Sequence, residues 1–400
     1  MKRTLIDFFD QENLNNCIAH FFAHYDAAYY FYIEKSRNEK TERLFSSLKK
    51  FNREKAGVTP VFIPVSDRDY SVPRLLAKLA SICEEAGPDS EVDIDLSGGN
   101  EFFLASAGAF VGGLKKSPDE GPRICMRKYD VPSGREIIRY PEDSPSGDRG
   151  CCCISVADQI FLHGAANLSR GLPLTDRRTT EKLWNSVRWF CRDWNRFCTD
   201  RQVISSKKDG GLTVCKEFSD SETEARLLRT AGRLSASGLT GLPYEKTIEE
   251  KRYIAFDTCL SRDEARLLFA KSGTLLELVS YYAALESRRF PDVKVGLEVD
   301  WDGKVEKKPD DPKNEIDVVM SDGLLPWFMS CKNTAVTTEA LNEIGVVSAH
   351  YGGKFARKLM ATSQVASEGQ RKRAEDLGVL LIDGIARMTV PELAERIAGL

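Results

Sequence analysis

The sequence predicts an α/β protein made of two sheet-containing parts that a helical segment connects. Three observations support this fold class. Short apolar segments alternate with helical patterns over residues 1–140, a stretch rich in Pro, Gly, Ser and charge follows at 141–150, and a hairpin pattern stands at 315–332. Alternating strands and helices are typical of a parallel sheet covered by helices.

The N-terminal part contains five strand-like segments, which are short, apolar and rich in β-branched or aromatic residues. They are TLIDFF (4–9), AAYYFYI (27–33), VTPVFIPV (58–65), EVDIDLS (91–97) and RICMRKYD (123–130). Helical patterns lie between them at 41–51, 72–85 and 100–111. This order predicts a Rossmann-like wound sheet, whose ligands bind at the carboxyl ends of the strands.

One loop at such a strand end, DLSGGN (95–100), has the composition of a phosphate or nucleotide cradle. Its two glycines let a backbone approach a ligand, and the helix that follows offers unpaired amide groups. The loop is neither a Walker loop nor a GxGxxG fingerprint, which disfavours an ATPase or a dinucleotide dehydrogenase. A tight strand-to-helix turn with a capping residue remains the alternative.

The composition is that of an ordinary globular protein, with 42% hydrophobic and 29% charged residues. A net charge of −3 excludes a strongly basic nucleic-acid coat but leaves a local basic patch open. The sequence has no apolar run of about 18 residues and no signal core, so we expect a cytoplasmic protein without membrane contact. Eleven dispersed cysteines, no CxxC pair and four histidines disfavour disulfides and a structural zinc site.

The middle segment at 154–197 has a helical pattern in which aromatic residues alternate with arginines. The aromatics are Trp184, Trp189, Phe190, Trp194 and Phe197, and the arginines are Arg188, Arg192 and Arg196. Such residues either stack on nucleobases or form a core stripe with a solvated edge, and the helical spacing favours the core.

The C-terminal part begins with helical patterns at 263–271 and 274–288, a strand at 293–301 and a charged turn at 304–313. A hairpin with Asp322-Gly323 at its tip follows. After it we expect a helix near Glu339, a break at Gly352-Gly353, a helix over 354–363 and a strand at 379–383.

The hairpin carries charges that are costly to bury. If its loop has two or four residues, Glu315 and Asp317 share a face with Phe328, Ser330 and Lys332. Two acids and a lysine among apolar neighbours must pair or bind a metal ion. Metal-dependent phosphodiester hydrolysis needs such carboxylates to hold a divalent cation and a lysine to position water or stabilise charge.

The second acid of such a site usually stands two residues before the lysine, where this chain has Ser330. Glu277 is the first candidate to replace it, because this acid opens a helical pattern with largely apolar surroundings. Glu315 is the second candidate, since it shares a face with Asp317.

The motif EIDVV…SCK, preceded by GxxxE at 273–277, resembles the PD-(D/E)xK restriction-endonuclease superfamily. Together with the DLSGGN sheet domain, it makes nearly the whole chain similar to the CARF-nuclease effectors of type III CRISPR systems. The resemblance implies a Rossmann-like CARF sensor domain at 1–145, a helical linker region at 146–210 and a restriction-endonuclease-like α/β domain at 211–400.

The resemblance also implies an activity and its residues. It implies a homodimeric endonuclease for antiviral defence that cyclic tetra-adenylate activates and that cleaves DNA or RNA with Mn²⁺ or Mg²⁺. Glu277, Asp317 and Lys332 would form the catalytic site, and the two acids would hold the metal. The ring-nucleotide pocket would be lined by Gln11, Ser36, Ser97, Gly98, Gly99 and Asn100.

Three cations in the predicted helix at 354–363 suggest a contact with a phosphate backbone. Lys354, Arg357 and Lys358 stand at i, i+3 and i+4, on one helical face. An ordinary solvated surface helix remains the alternative.

Two other functions remain open. A ligand-controlled nucleic-acid-binding regulator with a degenerate nuclease domain is favoured by Ser330. The retention of Glu277, Asp317 and Lys332 favours the nuclease, because an inactive site has no physical reason to keep acids and a lysine on an apolar face. A small-molecule enzyme at the Gly-Gly loop lacks a catalytic base nearby.

Overall fold

Three sheets with helices packed on them form the part of the chain that the computed structural model describes. It describes residues 1–114, 121–142, 152–207, 211–301 and 313–400. The predicted linker at 141–150 lies, from residue 143 onward, outside the described residues, as does the charged turn at 304–313 except for its last residue.

The first sheet has the strand order β3-β2-β1-β4-β5-β6. Its strands are β1 (Lys2–Phe8), β2 (Ala27–Ile33), β3 (Pro60–Val65), β4 (Ser90–Asp95), β5 (Arg123–Asp130) and β6 (Arg135–Tyr140). The first five pair in parallel, and β6 pairs antiparallel with β5. The helices are α1 (Asn13–Cys17), α2 (Glu39–Phe51), α3 (Val72–Ala86) and α4 (Glu101–Gly113). The predicted parallel sheet is confirmed, while β6 was not predicted.

Alternating side chains of the central strand bury both faces of this sheet. Leu5 belongs to the core that includes Leu48 of α2, whereas Ile6 and Phe8 belong to the core that includes Phe103 of α4. Burial on both faces explains why the strands read as nearly continuous apolar runs.

The middle segment forms α5 (Val156–Leu162), β7 (Ala166–Asn167), α6 (Arg177–Val187) and α7 (Cys191–Thr199). Trp184, Trp194 and Phe197 are buried, as the core interpretation predicts. Trp189 and Phe190, on the turn between α6 and α7, are 60% and 41% exposed. The aromatic cluster therefore divides into a core part and a surface part.

A second sheet, which the sequence did not predict, follows with the order β10-β11-β9-β8. It contains β8 (Gln202–Ser206), β9 (Leu212–Phe218), helix α8 (Ser221–Ala236), β10 (Tyr244–Ile248) and β11 (Lys251–Thr258). All its pairs are antiparallel. The outer strands are short and have no fully buried residue, so their sequences lack an apolar strand pattern.

The third sheet holds the hairpin and has the order β16-β15-β14-β13-β12-β7. Besides β7, its strands are β12 (Asp292–Asp300), β13 (Lys313–Ser321), β14 (Pro326–Lys332), β15 (Arg357–Thr362) and β16 (Val379–Ile382). The helices of this part of the chain are α9 (Arg262–Leu268), α10 (Thr274–Glu286), α11 (Thr338–Gly352), α12 (Glu368–Asp376) and α13 (Val390–Ala398). Strands β12, β13 and β14 pair antiparallel, and β14, β15 and β16 pair in parallel. No described helix has both the length and the apolar character that crossing a membrane requires.

The predicted helix over 354–363 is wrong, because this segment forms strand β15. Pairing with both β14 and β16 buries residues 359–362 and outweighs their helix propensity. Lys354 precedes the strand, and Arg357 and Lys358 are neighbours on it, so the three cations do not share a helical face.

Candidate active site and ligand-binding edge

The hairpin has a four-residue loop, which is one of the two loop lengths for which its face pattern was predicted. Ser321 pairs with Pro326, and Val318 pairs with Met329. The Asp322 carboxylate holds the turn: Oδ1 accepts the Leu325 amide at 2.7 Å, and Oδ2 accepts the Trp327 indole N–H at 3.2 Å. If the pairing continued one residue beyond Val318 and Met329, Ser330 would lie opposite Asp317.

The two hairpin strands diverge at Asp317. Their ladder ends at Val318 and Met329, although β13 begins at Lys313 and β14 runs to Lys332. The carboxylate replaces the missing backbone partner, because its Oδ2 accepts the Cys331 amide at 2.6 Å and the Ser330 hydroxyl at 3.3 Å. Asp317 therefore lies in a fork between two strands, one position from the end of their pairing.

Helix α10 brings a second acid to this fork. Glu277 lies in its first turn, and burial, followed by the charges of Asp317 and Glu315, raises the pKa of Glu277 to about 8. Burial also raises the pKa of Asp317, although the Cys331 amide and the Lys332 ammonium oppose this shift. The structure thus brings the three predicted catalytic side chains into one electrostatic cluster.

The fork lies next to two hydrophobic cores on opposite faces of the sheet. Helix α10 packs in the core that contains Val318, and α11 packs in the core that contains Val319. On the α11 side, a cavity of about 50 Å³ is lined by Glu315, Asp317, Ser330, Lys332 and Glu343, among others. This volume suffices for one water or one ion. Glu315, the second candidate acid, thus lines this cavity, whereas Glu277 is not among its lining residues.

The acids of the fork fit a divalent cation. Burial is the largest cause of the raised pKa in both carboxyls; the Asp317 charge adds to it at Glu277, and the Glu315 charge adds to it at Asp317. The negative charge of these acids therefore lacks full compensation. Lys332 Nζ lies 4.0 Å from Glu343 Oε2, and this ammonium group alone does not neutralise the acids. Oxygen ligands of this kind are the ones that Mg²⁺ and Mn²⁺ prefer.

A different group of ligand-type side chains, Glu91, Asp93 and Cys125, also lies close together in the described structure. Guanidinium groups already compensate its acids: Arg127 Nε lies 2.8 Å from Asp93 Oδ1, and Arg3 Nη2 lies 3.0 Å from Glu91 Oε1. This cluster is a buried ion-pair network and does not fit a metal ion.

The predicted ligand residues follow the carboxyl ends of neighbouring parallel strands. Strands β2, β1 and β4 lie side by side, so Ser36, Gln11 and the 97–100 loop stand along one edge of the sheet. Gln11 and Ser36 are exposed. The Ser36 hydroxyl donates to the Ile33 carbonyl at 2.6 Å. We call this edge the ligand edge.

The 97–100 loop is a tight, capped turn. The Ser97 hydroxyl donates to Asp95 Oδ1 at 2.6 Å and accepts the Tyr129 amide at 2.8 Å. Asn100 caps α4 by accepting the Phe103 amide at 3.1 Å. The alternative of a strand-to-helix turn is thus confirmed, and a ligand role of this loop stays a prediction.

Both glycines of this loop pack against Phe8 of β1. A Cβ on Gly98 would lie 2.8 Å from the Phe8 carbonyl oxygen. Gly99 has a φ of +82°, and a Cβ there would lie 2.5 Å from the Phe8 Cβ. The glycines are therefore required for close packing of the loop on the central strand.

Two buried acids lie beneath the ligand edge; Asp95 begins the predicted DLSGGN loop, whereas Asp7 was not predicted. Burial and the neighbouring Asp95 charge raise the pKa of Asp7 well above its usual value, and burial raises the pKa of Asp95 to about 7. Both aspartates interrupt apolar strands in the sequence, and this irregularity was the available signal.

Glu12, also missed from the sequence, connects the ligand edge to the third sheet. This buried residue follows Gln11, and its Oε2 accepts the Lys354 amide at 2.8 Å while Oε1 lies 3.1 Å from His163 Nε2. Burial alone would raise the pKa of Glu12, but these bonds lower it. Gly353 has a φ of +67°, and a Cβ there would overlap the Glu12 carboxylate. The Gly352-Gly353 pair was the only sequence signal.

Two of the predicted phosphate-binding cations line a basic cleft. Arg357 and Lys358 border a cavity of about 550 Å³ together with Arg371 and Arg396. Lys358 Nζ donates to the Leu377 carbonyl at 2.6 Å, and Arg371 pairs with Asp383 at 2.7 Å. Lys354 is not among the lining residues of this cavity.

Comparison with known proteins gives similarity of fold at low sequence identity. No protein family and no curated protein matches the sequence at a significant level. Protein VC1899 from Vibrio cholerae matches with a TM-score of 0.70 and 14% identity over 99% of this chain and 97% of that chain. Can2 from Sulfobacillus thermosulfidooxidans, in a complex with cyclic tetra-adenylate, matches with a TM-score of 0.65 and 14% identity over 99% and 98%. The chain therefore shares its fold with these two proteins over almost its whole length.

Proposed function

We propose that the protein is a metal-dependent endonuclease that a cyclic oligoadenylate activates in type III CRISPR antiviral defence. The convergence of Glu277, Asp317 and Lys332 at a strand fork carries this proposal. The fold shared with Can2, whose structure holds cyclic tetra-adenylate, supports that ring nucleotide as the activator. The sensor would span 1–145, the linker region 146–210 and the nuclease 211–400.

The fork supplies the parts that phosphodiester hydrolysis needs. Glu277 and Asp317 would hold Mn²⁺ or Mg²⁺, which polarises the scissile phosphate and lowers the pKa of a bound water. The Cys331 amide and the Ser330 hydroxyl both bind Asp317 Oδ2, so they orient the carboxylate and Oδ1 would take the ion. The Lys332 ammonium group would position the attacking water and stabilise charge on the phosphate oxygens.

Activation would start at the ligand edge and pass through Glu12. Gln11, Ser36 and the 97–100 loop would line the pocket, with the N-terminus of α4 offering amide groups to a phosphate. A ligand that moves Gln11 also moves Glu12, whose carboxylate holds the Lys354 amide before β15. Strand β15 pairs directly with β14, which carries Lys332.

A homodimer would form through α4, which begins at the ligand edge. Four small residues of this helix, Ala105, Gly108, Ala109 and Gly112, are exposed along one side. An exposed apolar face of this kind is typical of a surface that another chain covers. A second copy there would place two ligand edges next to each other.

Ser330 favours the second candidate, a ligand-controlled regulator that binds nucleic acid without cutting it. A cleavage assay with Mn²⁺, single-stranded and supercoiled substrates, with and without cyclic tetra-adenylate, separates the two functions. We expect cleavage that requires both Mn²⁺ and the ring nucleotide, and loss of at least about a hundredfold in Lys332→Ala. Cleavage that persists in Lys332→Ala would remove the site assignment. Binding without cutting by the wild-type protein would establish the regulator.

A further inference from the structure

An exposed group of aromatic and cationic side chains lies between α6 and α7, outside the fork. We call it the Trp189 surface; it consists of Arg188, Trp189, Phe190, Arg192 and Arg233. Trp189 is 60% exposed and Phe190 41%, whereas Trp184, Trp194 and Phe197 are buried. A packed core therefore anchors the segment and leaves these two rings at the surface.

One arginine side chain lies over each of the two rings. The Arg188 Cζ lies 4.7 Å from the Trp189 ring centroid, and the Arg233 Cζ lies 3.2 Å from the Phe190 ring centroid. Arg192 is exposed on the first turn of α7. Two acids contribute to the local field, since Asp193 acts on Arg233 and Glu392 is influenced by Arg188. Three guanidinium groups against two carboxylates leave the surface cationic.

The Trp189 surface lies at the sheet edge where Lys332 ends its strand. Arg188 Nη1 donates to the Ala386 carbonyl at 3.4 Å, just after β16. From α7, Asn195 Nδ2 donates to the Asn333 carbonyl at 2.7 Å, one residue after Lys332. Because β14, β15 and β16 are parallel, their carboxyl ends share this edge.

We propose that the Trp189 surface is a stacking platform that holds unpaired nucleobases of the substrate strand beside Lys332. This inference rests on the proposed function and adds a binding site to it. An exposed indole stacks on any base whose face is free, and neighbouring guanidinium groups bind the flanking phosphates. A duplex hides its base faces, so the platform selects single-stranded nucleic acid. The chemistry is shared by single-stranded DNA and single-stranded RNA.

Binding without metal tests the platform independently of cleavage. Fluorescence anisotropy in EDTA would measure the affinity of labelled single-stranded DNA, single-stranded RNA and duplex DNA of one sequence. We expect Trp189→Ala to weaken single-strand binding roughly 5- to 100-fold, since stacking contributes on this scale per base. Trp189→Phe should retain most of the affinity, and duplex binding should change little.

Tyr244→Ala is the matched control, because Tyr244 is an exposed aromatic on β10, 42% exposed. It should bind single strands like the wild-type protein. Thermal unfolding would verify that each variant folds. A weaker affinity for either single strand, DNA or RNA, supports the platform and identifies its sugar preference. Unchanged affinity for both, or an equal loss for duplex, would overturn it. If the wild-type protein cut no substrate in the cleavage assay described above, the proposed nuclease function would fail, but the measured single-strand binding would still support the platform.

Discussion

Replacing Glu277 by Gln tests whether this carboxyl lies in the charged fork. Its pKa is raised from 4.5 to about 8 in the folded protein, with burial as the largest cause and Asp317 next. A carboxyl whose pKa is higher in the folded state stabilises the protein fully below pH 4.5. This contribution is lost as the pH rises through about 8.

The size of the effect follows from the two pKa values. Each pKa unit corresponds to about 1.4 kcal/mol, so ionisation of Glu277 without metal costs the folded protein roughly 5 kcal/mol. Glu277→Gln removes the charge at constant shape. We expect the variant to be about as stable as the wild-type protein at acidic pH and more stable by a few kcal/mol at alkaline pH.

Urea unfolding in EDTA at several pH values measures this difference. Glu84→Gln is the matched control, because Glu84 is exposed on α3, which packs on the first sheet, and should leave the pH profile unchanged. At alkaline pH, Mn²⁺ added at a hundredfold excess over its Kd should stabilise the wild-type protein by about 2.7 kcal/mol. The same concentration of Mn²⁺ should stabilise Glu277→Gln much less. Parallel pH profiles of the wild-type protein and Glu277→Gln would refute the electrostatic assignment of the site.

Three further predictions concern the ligand edge and the fork. Gly99→Val should lower the free energy of unfolding in urea by about 2–4 kcal/mol, because its φ is positive and its Cβ overlaps β1; an unchanged midpoint would contradict this packing. Glu12→Gln should keep cyclic tetra-adenylate affinity but reduce activation about tenfold or more, since the Lys354 amide loses a charged acceptor; full activation in cleavage assays would exclude the relay. Ser330→Asp sets a second carboxylate beside Asp317, so calorimetry should give Mn²⁺ binding about tenfold tighter; equal or weaker binding would show that Glu277 already fills that role.

The features of the hairpin that follow from strand geometry could be predicted from the sequence. A period of two residues and a four-residue loop predict that Asp317 and Ser330 are neighbours, and their side chains are in contact in the structure. The parallel N-terminal sheet was predictable because its strands are apolar on both faces. The core role of Trp184 and Trp194 followed from helical spacing.

Features that depend on distant contacts could not be predicted from local patterns. Residues 354–363 read as a helix, yet strands β14 and β16 on either side recruit them as β15. The second sheet has outer strands whose polar sequences resemble loops. Glu12 looks like an ordinary loop acid until the fold brings Lys354 to it across 342 residues of chain.

The pairing of Glu12 with Gly353 limits how this protein can be recombined. The Glu12 carboxylate occupies the space that any side chain at position 353 would need, and the positive φ there also requires glycine. A chimera that joins this N-terminal sheet to a foreign C-terminal part would therefore have to supply both a glycine and a free amide at the loop that corresponds to residues 352–354. Without them, the transplanted acid would be buried without its partners, and the two halves would dock poorly or not at all.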